Sequence, residues 1–115
     1  MLKDGLYHSD VYMPKLKVSS KNIRLSYTQH AIFASQSDRY NTIRLPEVIN
    51  LSQGKIIELE VVNSKPHKLV VRLPYDAHCD ICIVMLVAER IVKTVWLNRS
   101  NDTHRTLDRS KYIQG

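Results

Sequence analysis

The chain has 115 residues, 43% of them apolar, with 17 lysines and arginines against 11 acids and a formal net charge of +6. That length holds one domain, residues 1–115, whose core is large enough to need no disulfide or metal staple. No apolar run reaches the roughly 20 residues of a membrane-spanning helix, and the N-terminus has no apolar stretch of the secretory kind, so a cytoplasmic protein is expected. The positive charge favours an anionic partner, with nucleic acid ahead of a membrane surface.

That charge is unevenly spread. Residues 11–37 carry Lys15, Lys17, Lys21 and Arg24 and no acid, while residues 90–111 carry six cations against Asp102 and Asp108. If the two segments converge, they line a basic groove.

Residues 1–20 lack periodicity and contain Gly5, Pro14 and Ser19–Ser20, which reads as an N-terminal arm with one short edge strand at 16–18. Residues 23–27 alternate, with Ile23, Leu25 and Tyr27 on one face of a half-buried strand. Thr28 is an N-cap candidate, and residues 29–36 place Ala31, Ile32, Phe33 and Ala34 in a helix that stops near 38–41. Pro46–Glu47 suits the first turn of a short second helix, ended by Ser52-Gln53-Gly54.

Residues 55–62 set Glu58 and Glu60 against Ile57, Leu59 and Val61, the pattern of a strand with one solvated face. After a loop at 63–67, residues 68–73 form the next strand with Arg72 on its polar side, and 74–78 turn the chain. Residues 80–98 are apolar on both faces, rich in β-branched side chains and interrupted only at Ala88-Glu89-Arg90. That density disfavours a helix and predicts a buried hairpin. A polar basic tail, 99–115, follows, with a helix start at Asn101 or Asp102. The expected architecture is α+β: one or two N-terminal helices packed on a four- or five-stranded antiparallel sheet with that hairpin at its centre.

His78, Cys79 and Cys82, with His67 in reserve, are the nearest approach to a metal motif. In an extended chain, however, residues three apart point to opposite faces, so no metal ligands are assigned and no cofactor is expected. Glycine-rich phosphate loops and nucleophile elbows are missing from the sequence. The histidines are of more interest. His30 falls in the first turn of the predicted helix, and His104 lies in the tail beside Arg105 and Lys111. A histidine pair with cations supplies the base, the acid and the charge stabilisation that metal-independent RNA cleavage requires. Tyr40, Tyr75, Trp96 and Tyr112 are aromatic groups that can stack on unpaired bases, Tyr75 and Tyr112 being better placed in polar loops.

The stretch Tyr27-Thr28-Gln29-His30-Ala31 resembles the strand-to-helix His-Ala opening of small basic bacterial and phage domains related to the RelE-like and barnase-like toxin ribonucleases. The order of the Pro46-Glu47-Val48 segment and a strand-rich half reaching Thr94-Val95-Trp96 is similar too, so the likeness spans about residues 23–98. It implies a metal-independent endoribonuclease or toxin. His30 and His104 would be catalytic; Arg39, Arg72, Arg105, Lys111, Tyr75 and Tyr112 would hold RNA; an antitoxin or host protein would be a partner. The family often carries arginines four and eight residues after the histidine; here those places hold Ala34 and Asp38, with Arg39 one step on. The alternative reading is a non-enzymatic binding or inhibitory protein, phage-encoded, that docks on nucleic acid or on an acidic host protein.

Overall fold

A computed structural model describes residues 2–101 and 107–115. Six strands form one sheet in the order β1-β4-β5-β6-β7-β3, where β1 is Gly5–His8, β3 Ser26–Tyr27, β4 Lys55–Val62, β5 Lys65–Pro74, β6 Cys79–Leu86 and β7 Ile91–Arg99. One α-helix, α1 (Gln29–Gln36), packs beside β7. A separate two-stranded ribbon pairs β2, Ile23–Arg24, with Val48–Ile49.

This corrects the expected architecture. There is one helix among the described residues, and the sheet is mixed, because β3 runs parallel to β7 through the pairs Ser26↔Ile91 and Tyr27↔Val92. The segment after Pro46–Glu47 is not a helix: Val48–Ile49 is extended in the ribbon and only Leu51–Gln53 makes a 3-10 turn. Its backbone groups find partners on β2, a distant choice that local propensity does not reveal. The run 23–27 also breaks at Leu25, whose N–H bonds to the Glu47 carbonyl, so that its two halves enter different sheets. In the first 20 residues the strand is Gly5–His8, an edge strand on β4, and none forms at 16–18.

The strands from 55 to 99 follow the sequence closely. The hairpin β6–β7 pairs Cys79↔Arg99 through Leu86↔Ile91, with Arg90 in the left-handed region at the turn. The loop between β4 and β5 is tighter than the sequence suggests, since Asn63 and Ser64 both take positive φ and leave only two residues between strands. Such a turn matches strand twist but leaves its N–H groups pointing outward. The Asp4 carboxylate accepts both of them, at 2.9 and 2.7 Å.

Alternation divides the sheet into two faces. One presents Tyr7, Leu59, Val61, Leu69, Val71, Ile81, Ile83, Met85, Val92 and Val95 to the main core, which α1 closes with Ala31. The other carries a smaller cluster of Ile57, Val70 and Cys82 with Trp96 against it. Cys79 and Cys82 thus lie on opposite faces, as their spacing on a strand requires. Tyr27 is half-buried, its hydroxyl donates to the Pro46 carbonyl, and burial pushes its pKa up to about 12.

Thr28 caps α1 as expected and also ties it to the sheet. Its hydroxyl accepts the Ala31 N–H at 3.1 Å and donates to the Lys93 carbonyl at 3.2 Å. Thr28→Ala should therefore destabilise the protein by about 1–2 kcal/mol, the upper range for loss of an N-cap. Urea denaturation is the check: a midpoint equal to that of the wild type would mean that the cap contributes nothing.

Candidate nucleic-acid interface

The residues singled out by sequence do not form one cluster. His30 is exposed on the first turn of α1, next to the Thr28 cap, whereas Arg39 and Tyr40 follow the last turn, at the other end of the helix. Arg72 is not free for phosphate. Its Nε donates to Asp80 Oδ2 at 2.7 Å and its Nη2 to the Arg99 carbonyl at 2.7 Å, with only 12% of the side chain exposed. Lys111 and Tyr112 lie at the opposite margin of the sheet, where the Tyr112 ring packs on His8 at 5.0 Å. His104 and Arg105 fall outside the described residues.

What the structure does bring together lies at the end of the sheet where β5 leaves, β6 begins and β7 ends. Asp38 organises it. One carboxylate oxygen accepts the Leu97 N–H of β7 and the other the Tyr40 N–H, both at 3.1 Å, so the chain leaving α1 is pinned to the last residues of β7. Tyr40 is consequently held beside Arg99. The Arg39 guanidinium lies 4.6 Å from the Tyr40 ring centre and that of Arg99 5.7 Å, both within cation–π range.

Tyr75 makes a second aromatic station in the β5–β6 turn. Its hydroxyl accepts the Arg44 N–H at 2.9 Å, and the Arg44 guanidinium stands 5.7 Å from its ring centre. The turn is fixed by Asp76, whose carboxylate accepts the N–H groups of His78 and Cys79; these two bonds, the larger first, hold its pKa below the usual carboxylate range. Beside Tyr40 lies a cleft bordered by Tyr40, Asn41, Asp76, His78, Cys79 and Arg99. Arg39 and Arg99 thus gather on Tyr40 beside this cleft, while Arg44 and Tyr75 form a separate pair on the β5–β6 turn whose Asp76 borders it.

Of these, the sequence points to Arg39 and Tyr75 as RNA contacts and to Tyr40 as a stacking residue, but not to Arg44 or Arg99. The adjacency Arg39-Tyr40 is a visible signal; the approach of Arg99 from the far end of β7 is not.

A second group of titratable residues lies on the back face near β1. His8, 3% exposed, faces Glu58 across the β1–β4 ladder and its Nδ1 accepts the Asp10 N–H at 3.0 Å. Burial raises the Glu58 pKa, more than Lys68 and Lys111 lower it. Burial likewise raises that of Tyr112, with the Glu58 and Asp108 charges adding to the effect.

Comparison with protein-family models, with curated proteins and with solved structures gives no match to this chain. Among the described residues no three histidine, cysteine or acidic side chains gather as a metal site would require, and no helix is long and apolar enough to cross a membrane.

The raised Glu58 pKa has a definite sign. The folded state binds this proton more tightly than the unfolded chain, so the associated stability is present below the ordinary glutamate pKa and lost as pH rises through the raised value. Glu58→Gln should melt above the wild type at pH 7, and the difference should shrink as pH falls below the ordinary glutamate range. Melting curves from pH 4 to 8 test it; a variant less stable at pH 7 would show that the lysines outweigh burial.

Proposed function

We propose that this is an RNA-binding protein that takes single-stranded RNA across the end of the sheet marked by Tyr40 and Tyr75. The observation that supports it is the approach of both Arg39 and Arg99 to the Tyr40 ring, with a second arginine–tyrosine pair on the β5–β6 turn, in a protein of net charge +6. Unpaired bases stack on tyrosine rings and on guanidinium planes, while arginine also meets the phosphates. An acidic protein partner would satisfy the cations but would not account for the tyrosine rings paired with them.

Arg39→Ala and Arg99→Ala should each weaken binding of a single-stranded RNA oligonucleotide, and each should flatten the slope of log affinity against log salt by about 0.7, the value for one phosphate no longer neutralised. Tyr40→Ala should cost about 1–3 kcal/mol, the worth of a stacked base, with little change in slope. Fluorescence anisotropy at several salt concentrations separates the two effects. Affinities unmoved by all three substitutions would overturn the assignment.

A second reading, metal-independent cleavage of RNA at the β1 margin of the sheet, apart from the Tyr40 station, is favoured by one observation. Glu58 and His8 are a carboxyl group of raised pKa and a buried imidazole on facing strand positions, near Lys68 and Lys111, which is the composition of an acid–base centre for phosphoryl transfer. Under this reading total RNA incubated with the protein in EDTA is cut into discrete fragments and Glu58→Gln stops the cutting. Loss of cleavage in His30→Ala alone would return the chemistry to α1, and intact RNA throughout would leave binding as the function.

A further inference from the structure

The Tyr75 N–H donates to the carbonyl of Cys79, which lines the cleft beside Tyr40, and Tyr75 itself, with Arg44, lines another cleft of about 710 Å³. Its volume is in the range of small-molecule sites. Its floor is apolar, with Leu73 and Ile81 buried, and one wall is the Tyr75 ring under the Arg44 guanidinium. At its rim stand two side-chain amides, Asn22 and Gln53, which make no hydrogen bond among the described residues. Neighbouring Asn50 differs, since its amide is engaged with Ser20 and Ser52.

We infer that this cleft is a nucleobase pocket that reads one base of the RNA bound at the Tyr40 station, an inference that rests on the RNA-binding reading above. Each component has a counterpart in a nucleotide. The apolar floor and the Tyr75 ring accept the flat faces of a base. The paired donor and acceptor of each amide match the hydrogen-bonding edge of a base, which a lipid or an aliphatic ligand lacks. Arg44, which lines the cleft beside the Tyr75 ring, meets the phosphate that joins the inserted nucleotide to its neighbour. The two clefts share the β5–β6 turn, since Tyr75 lines one while Asp76 and Cys79, whose carbonyl accepts the Tyr75 N–H, line the other, so a strand lying on Tyr40 has the pocket at its next turn of chain.

The geometry also separates affinity from selectivity. Arg39, Tyr40 and Arg99 present charge and ring faces, which every base accepts, whereas Asn22 and Gln53 present directional groups, which only some bases satisfy.

The test measures binding of the four nucleoside monophosphates and of four RNA homo-oligomers to the whole protein, by backbone amide chemical shifts and by anisotropy. The expected result is that one monophosphate shifts the amides of Gln53, Leu73 and Tyr75, and that the matching oligomer binds about ten-fold better than the others. Asn22→Ala with Gln53→Ala should reduce that preference to near unity, while Arg39→Ala should weaken all four oligomers alike and leave the preference. Equal binding of the four oligomers, or a preference untouched by the double variant, would overturn the pocket and leave RNA binding standing. A monophosphate that shifts the pocket amides while no oligomer responds to Arg39→Ala would instead keep the pocket and remove the wider reading.

Discussion

The constraint on which the rest of the structure depends is the open edge of β7. This strand has nine residues, yet β3 covers only the first two, Ile91 and Val92. A strand edge left bare exposes backbone donors and acceptors and invites pairing with another chain. Here the remainder is met by the two ends of α1. Thr28, before the helix, donates to the Lys93 carbonyl, and Asp38, after it, accepts the Leu97 N–H. A helix of eight residues is marginal by itself and owes its stability to what it packs against. Its position is fixed by these two polar contacts together with Ala31, which is fully buried in the core. The same Asp38 that closes the edge sets Tyr40 next to Arg99, so this arginine–tyrosine contact is a consequence of how the edge is finished.

The parts of this fold that can be read in the sequence are those decided by neighbours along the chain. The alternation of residues 55–62, the apolarity of 80–98 on both faces and the Thr28 cap all depend on local periodicity or on a side chain reaching three residues ahead. The parts that cannot be read are those decided by partners far away. Residues 23–27 carry one unbroken alternation, and nothing in it announces that Leu25 will bond to Glu47 while Ser26 and Tyr27 join β7. Pro46–Glu47 has helix-start chemistry, yet the residues after it pair with β2, a partner more than twenty positions back along the chain. His8 sits in a stretch that reads as an arm, and its burial depends on β4 and on Tyr112 near the other end of the chain.

The candidate site shows the same division. Arg39 and Tyr40 are adjacent in sequence, legible as a cation beside an aromatic ring. Arg99 is one cation among several in a basic stretch, without a sign of which will turn toward Tyr40. Arg72 reads as equally available, being a cation on the polar side of a strand. Its neighbour across β6 decides otherwise: Arg72 lies in register with Cys82, Pro74 with Asp80, and from that diagonal Asp80 captures the guanidinium.

That captured arginine still bears on the Tyr40–Arg99 contact. A largely buried charge pair costs desolvation, and breaking one by removing a single partner leaves an uncompensated charge worth about 3–5 kcal/mol. The pair Arg72–Asp80 is therefore firmly kept, and the second arm of Arg72 donates to the Arg99 carbonyl. The Asp80 carboxylate in turn accepts the Ser100 hydroxyl at 3.3 Å. The backbone on both sides of the Arg99 side chain is thus anchored from the interior, just where β7 ends and would otherwise fray. A buried cation thus fixes the origin of an exposed one, and holding the Arg99 guanidinium against Tyr40 preorganises it, which lowers the ordering cost of any ligand it meets.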